Sequence, residues 1–92
     1  MSEKVAKVLW TRQAREALNA ILDYRYSKNP SARKIVRKDI IEASKGVVFT
    51  KQYQRDAIAT EYRRIFVRDY KIIYKSTSDT VFVLNVVCTK AK

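Results

Sequence analysis

The sequence predicts an α+β domain of order β-α-α-β-β-β, a mainly antiparallel four-stranded sheet with a helical hairpin packed on one face. Two stretches, 12–26 and 30–45, space their apolar residues three and four apart, as a one-sided helix requires. From Tyr62 onward the period shortens to two, the spacing of half-buried strands. Gly and Pro occur once each in 92 residues, so few breakers interrupt either pattern.

Residues 4–10, KVAKVLW, form the first expected strand, with Ala6, Val8 and Trp10 on one face. Thr11 suits a helix N-cap, because its hydroxyl can accept from an orphan amide of the first turn. Ala14, Ala17, Leu18, Ile21 and Leu22 then make one apolar stripe, in a helix running to about Tyr26. Asn29-Pro30 restarts the chain, with Asn29 as cap and Pro30 at the first helical position, where a missing N–H costs nothing. Ala32, Val36, Ile40 and Ala43 make the second stripe, and Gly46 suits a left-handed residue just past the helix end. Residues 47–61 show no clean period and read as a loop. Three strands follow at 62–68, 70–75 and 80–88, separated by turns at Asp69 and at Ser76–Asp79. The last strand is apolar on both faces and belongs in the middle of the sheet. Tyr24, Tyr26, Tyr70 and Tyr74 read as core or core-rim residues, and Tyr53 as a freer loop residue.

Composition narrows the function. Twenty Lys and Arg stand against nine Asp and Glu, a net charge of +11. The charge is spread evenly, 11 − 5 = +6 over residues 1–50 and 9 − 4 = +5 over 51–92, so it belongs to a folded surface rather than to a basic tail. Its partner is expected to be acidic. The absence of His and the single Cys88 exclude the usual zinc and haem ligand sets and His-dependent triads. One Cys also excludes an internal disulfide. The start carries no signal-peptide pattern and no apolar run reaches the ~20 residues of a membrane span. The expectation is one domain over residues 1–92, cytoplasmic, with no metal, no cofactor and no membrane partner.

The densest basic cluster lies on the strands: Arg63, Arg64, Arg68, Lys71 and Lys75 against Asp69. Alternation places Arg64, Phe66 and Arg68 on one face of one strand, and Lys71, Ile73 and Lys75 on one face of the next. If Arg64 and Lys71 meet on the side the helices leave bare, they form a cationic groove flanked by Phe66, suited to a nucleic acid. The alternative is an ordinary solvated strand face. Helix two carries like-charge pairs four apart, Arg33 with Arg37 and Lys34 with Lys38. These read as a solvated face or as a contact for an acidic partner. Asp56 and Glu61, in the loop before the basic strands, are candidate general bases, though loop carboxylates are usually only solvated. Cys88 reads as a small core residue rather than a nucleophile.

KVLWTRQAREALNAILDYRY, SARKIVRKDII and YRRIFVRDYKIIYK followed by VFVLNVV resemble the RelE/ParE superfamily, toxins of type II toxin–antitoxin modules also known as plasmid stabilisation proteins. The resemblance spans nearly the whole chain. It implies growth arrest by one of two routes. RelE-like members are metal-independent endonucleases that cleave mRNA on the ribosome, whereas ParE-like members inhibit DNA gyrase. Carried across, the nuclease set is Arg64, Lys71 and Lys90, with Asp56 near the position of a loop acid; Phe66 stands where a second basic residue is common. The C-terminal Tyr, or His-Tyr pair, of the nuclease branch has no counterpart. In-line attack by a 2′-hydroxyl needs a base, an acid and cations, and here only the cations are plentiful. The gyrase-directed, non-catalytic reading is therefore preferred, with the mRNA endonuclease as alternative and a non-toxic basic nucleic-acid-binding module as a second one. Arg64, Phe66, Arg68 and Lys71 are the expected target contacts. The resemblance also implies a cognate antitoxin whose acidic segment folds onto the toxin in a hetero-oligomer, with Arg33 and Arg37 as the expected antitoxin contacts.

Overall fold

A computed structural model describes residues 4–49, 52–58 and 61–90. The elements are β1 (Lys7–Trp10), α1 (Arg12–Arg25), α2 (Pro30–Lys45), β2 (Arg63–Val67), β3 (Tyr70–Thr77) and β4 (Thr80–Cys88). The sheet order is β1-β4-β3-β2, parallel between β1 and β4 and antiparallel elsewhere. The α+β architecture and the inner position of β4 are as the sequence predicts. Helix α1 packs over β4 and α2 over β2. No helix among the described residues is long and apolar enough to cross a membrane.

The helix caps form as their residue types dictate. Thr11 Oγ1 accepts the Ala14 N–H at 3.2 Å and also donates to Val83 O at 2.8 Å, so one hydroxyl starts α1 and ties it to β4. Asn29 Oδ1 accepts the Ala32 N–H, with Pro30 at the first helical position. At the other end of α2 the expectation for Gly46 fails. Its φ is −77°, right-handed, because its N–H closes a tight turn onto Ala43 O at 3.1 Å. The first strand is shorter than 4–10, and Ala6 is exposed rather than sharing the buried side with Val8 and Trp10.

Leu18 and Leu22 of α1 and Val36 and Ile40 of α2 bury against Tyr70, Ile72 and Tyr74 of β3 and Val81, Val83 and Val86 of β4. In β4 this set breaks alternation, since Val83 and Val86 are three apart. A bulge explains it: Ile73 pairs with Asn85 and Tyr74 with Val83, leaving Leu84 as an extra residue. The bulge returns Val86 and Cys88 to the core face. Beyond Val83, β4 has a strand neighbour only in β3 among the described residues, and the Val86 N–H is bonded by Asn85 Oδ1 at 2.9 Å.

The tyrosines divide differently from expectation. Tyr70 and Tyr74 are core and Tyr26 packs against the core, but Tyr24 is 70 % exposed and Tyr53 is half-buried on the core. Burial, together with a hydrogen bond to Tyr26, pushes the Tyr70 phenol up to about 12, while Arg25 opposes the shift. Burial raises Tyr74 as well. Below pH 10 folded and unfolded chains both keep the Tyr70 proton. Above it the unfolded chain ionises first, so stability falls between pH 10 and about 12. Urea unfolding across this range should show that loss, and Tyr70→Phe should make the alkaline slope shallower.

Candidate functional site

The face of the sheet away from the helices carries the basic cluster. Pairing Arg64 with Ile73 and Phe66 with Lys71 brings Arg64, Phe66 and Lys71 together across β2 and β3, as alternation predicts. Phe66 is 60 % exposed, and the Arg64 guanidinium lies 5.2 Å from its ring centre. Next along the face come Ile73 opposite Asn85 and Lys75 opposite Phe82, with Leu9 of β1 beside Phe82. The surface is thus mixed, cationic and apolar.

Asp56 enters this face from the loop, and its setting corrects the picture of a mobile carboxylate. The residue is 2 % exposed. Its Oδ1 lies 2.7 Å from Lys71 Nζ and 4.0 Å from Arg64 Nη1, and its Oδ2 accepts the Ile58 N–H at 3.1 Å. The backbone around it runs beside β2: Asp56 N–H donates to Tyr62 O and Arg64 N–H to Gln54 O. Residues 54–56 therefore act as a short added strand that delivers the carboxylate beneath two cations. Burying a carboxylate is tolerable only with such partners, so the pairing anchors the loop. Glu61, the other loop carboxylate, is exposed.

Other predicted site residues lie elsewhere. Arg68 is not on this face. It adopts φ 52° in the two-residue β2–β3 turn, which ends the alternation, and its guanidinium grips Asp39 of α2, with Nη2 at 2.6 Å from the carboxylate. Lys90 follows β4 at the turn end of the sheet, 3.8 Å from Asp69. Asp69 also faces Arg25, whose Nη1 bonds Tyr70 OH at 3.1 Å and approaches Cys88 Sγ at 3.5 Å. Cys88 packs at the rim of the core, as a small core residue would. Arg64 and Lys71 thus assemble with Asp56, whereas Lys90 and Arg68 belong to other clusters.

A second surface lies between the helices. Trp10, Arg15, Leu18, Asn19, Arg37 and Ile41 line a groove of about 240 Å³. Arg37 is part of it. Arg33 instead bonds Asp23 at 2.8 Å and staples the hairpin. Arg15 was missed in the sequence. Its one signal is its place on α1 one turn past the Trp10-Thr11 junction, where its guanidinium donates to Trp10 O.

Comparison with known proteins places this geometry. Residues 8–91 match the family described as the ParE toxin of the type II toxin–antitoxin system, parDE. The chain belongs to that family. Among solved structures it is similar to one described as the chromosomal ParDE toxin–antitoxin system from P. aeruginosa, with a TM-score of 0.76 and 18% identity. The match covers 91% of this chain and 96% of that one, and at this identity it is a likeness of fold. A search of curated proteins finds no match.

Removing the Asp56 carboxylate tests the anchor. Asp56→Ala should cost ~2–3 kcal/mol, below the ~3–5 of a fully buried pair because Lys71 can swing toward water. Urea unfolding would measure it, with protease cleavage rising within the loop.

Proposed function

We propose that this toxin-family chain arrests growth by binding DNA gyrase without cleaving RNA, and that a cognate antitoxin with an acidic segment neutralises it. One observation carries the non-cleaving reading: the carboxylate nearest the cations is buried and bound to Lys71 at 2.7 Å. A general base must reach the proton it removes, within about 2.6–3.2 Å in a plausible pose. Asp56 instead spends its oxygens on Lys71 and on the Ile58 amide. Lys90, the other member of the implied nuclease set, is engaged with Asp69 away from Arg64 and Lys71. The exposed Phe66 ring and the cations around it suit the open sheet face to binding, and the resemblance to ParE-like members, which inhibit DNA gyrase, favours gyrase as the target. The endonuclease reading keeps one point in its favour, the shared face of Arg64 and Lys71.

Supercoiling by purified gyrase should stop on addition of the protein, while primer extension on mRNA from arrested cells shows intact transcripts. Unimpaired supercoiling together with codon-biased cuts would reverse the assignment in favour of the nuclease. Expression without any growth defect would favour a non-toxic binding module.

The antitoxin is assigned to the groove between the helices. It combines an apolar floor with Arg15 and Arg37, neither of which is in an ion pair among the described residues. An amphipathic acidic segment fits that combination, its apolar side chains entering the groove and its carboxylates meeting the rim. Arg37→Glu should weaken antitoxin binding by about tenfold or more through like-charge contact, read by calorimetry, with growth arrest by the free toxin unchanged.

A further inference from the structure

We propose that the groove between the helices receives one large apolar side chain with a carboxylate beside it, and that Ser44, which touches no ligand, sets its shape by holding the Trp10 indole. The inference rests on the reading of this groove as the seat of the acidic antitoxin segment, and names what that segment must present.

Volume and charge define the occupant. A cavity of about 150 Å³ holds a benzene ring, and pockets for drug-sized ligands begin at about 300 Å³. At about 240 Å³ the groove falls between them, with room for one aromatic or branched side chain. Leu18, Ile41 and the Trp10 ring supply apolar walls, and Arg15 and Arg37 supply charge. A second copy of this chain, itself at +11, would bring more cations to those arginines, so an acidic segment is the occupant.

Trp10 is fixed from both helices. Its indole N–H donates to Ser44 Oγ of α2 at 3.0 Å, and its carbonyl accepts from Arg15 of α1 at 3.0 Å. Ser44 is fully buried in α2, one turn beyond Ile40 in the apolar stripe, a place where alanine would bring no polar atom to satisfy. Its own proton already has a partner, because the hydroxyl donates to Ile41 O at 2.6 Å, a local bond common for helical serines. What Ser44 adds is an acceptor for Trp10. An indole packed against a core needs a partner for its N–H. Without the Ser44 oxygen it gains by turning toward water, and one wall of the groove turns with it. Ser44 is therefore a positioning residue that acts through Trp10.

Trp10 is the only tryptophan of the sequence, so its indole N–H gives a single resonance. The test is an NMR titration of the full chain with hydrocinnamate, an aromatic ring carrying a carboxylate, and in parallel with its neutral amide. The acid should move the Trp10 indole signal and the Asn19 and Arg37 amides, at the millimolar affinity of so small a ligand. The neutral amide should bind about threefold more weakly, the loss of one exposed ion pair, and Arg37→Gln should abolish that preference. Ser44→Ala should weaken the acid about fivefold, the effect of one donor left unpaired. In a Trp10→Phe background, which has no indole N–H to hold, the same substitution should change nothing at the Asn19 signal. An equal loss in both backgrounds makes Ser44 purely structural and overturns its role. Unmoved signals, or equal binding of acid and amide, overturn the site. Antitoxin binding that Arg37→Glu weakens, without response to either probe, removes this inference while the proposed function stands. Probe binding as described, with antitoxin binding indifferent to Arg37→Glu and Ser44→Ala, supports the site and removes the antitoxin from it.

Discussion

Alternation along β3 is the constraint on which the rest of the molecule depends. Tyr70, Ile72 and Tyr74 point into the layer of helices, and Lys71, Ile73 and Lys75 point away from it. A two-layer fold covers one sheet face only, so the second face is where charge can be concentrated, and there the buried Asp56 carboxylate offsets the partial burial of Lys71 and Arg64. Every neighbour of β3 conforms. β2 sets Ile65 toward the core and Arg64 and Phe66 outward, and β4 conforms only because the bulge at Leu84 resets its phase. The strong positive charge and the ordinary apolar core are compatible because they share strands but not faces.

The electrostatics follow from that division. Most acids on the helical side are matched with nearby arginines: Asp23 with Arg33, Asp39 with Arg68, Glu16 with Arg12. Such exposed pairs contribute little individually, about 0–1 kcal/mol. Their effect is to fix where side chains go, pulling Arg33 and Arg68 into the scaffold and leaving Arg15 and Arg37 on the groove. On the open face one buried carboxylate serves two cations. Asp56 thereby ties a pattern-poor loop to the sheet and sets how much positive potential the face retains.

The parts legible in the sequence were those governed by local rules. Thr11 and Asn29-Pro30 marked helix starts because capping acts over three residues, and period-two runs marked the strands and the shared face of Arg64 and Lys71. The burial of Asp56 was not legible. It depends on backbone pairing of 54–56 with β2 and on Lys71, fifteen positions away, and a loop without period gives no hint of either. Arg68 was misplaced because alternation was extended through a residue that turns left-handed. Gly46 suggested a left-handed cap, but the hydrogen bond to Ala43 O needed no such conformation. Val83 and Val86 three apart could be read only as a strand apolar on both sides, since a bulge shifts phase without a residue type that announces it.

The inner strand β4 becomes an edge halfway along, because β1 accompanies only Thr80–Val83. From Leu84 onward its outer side is a row of backbone groups with no strand beside them among the described residues, the usual template for unwanted self-assembly. Asn85 interrupts that row by bonding the Val86 amide with its own side chain. The amide that would begin a ladder with a second chain is thus occupied from within. That one bond shortens the run of open amides the edge offers to a second chain.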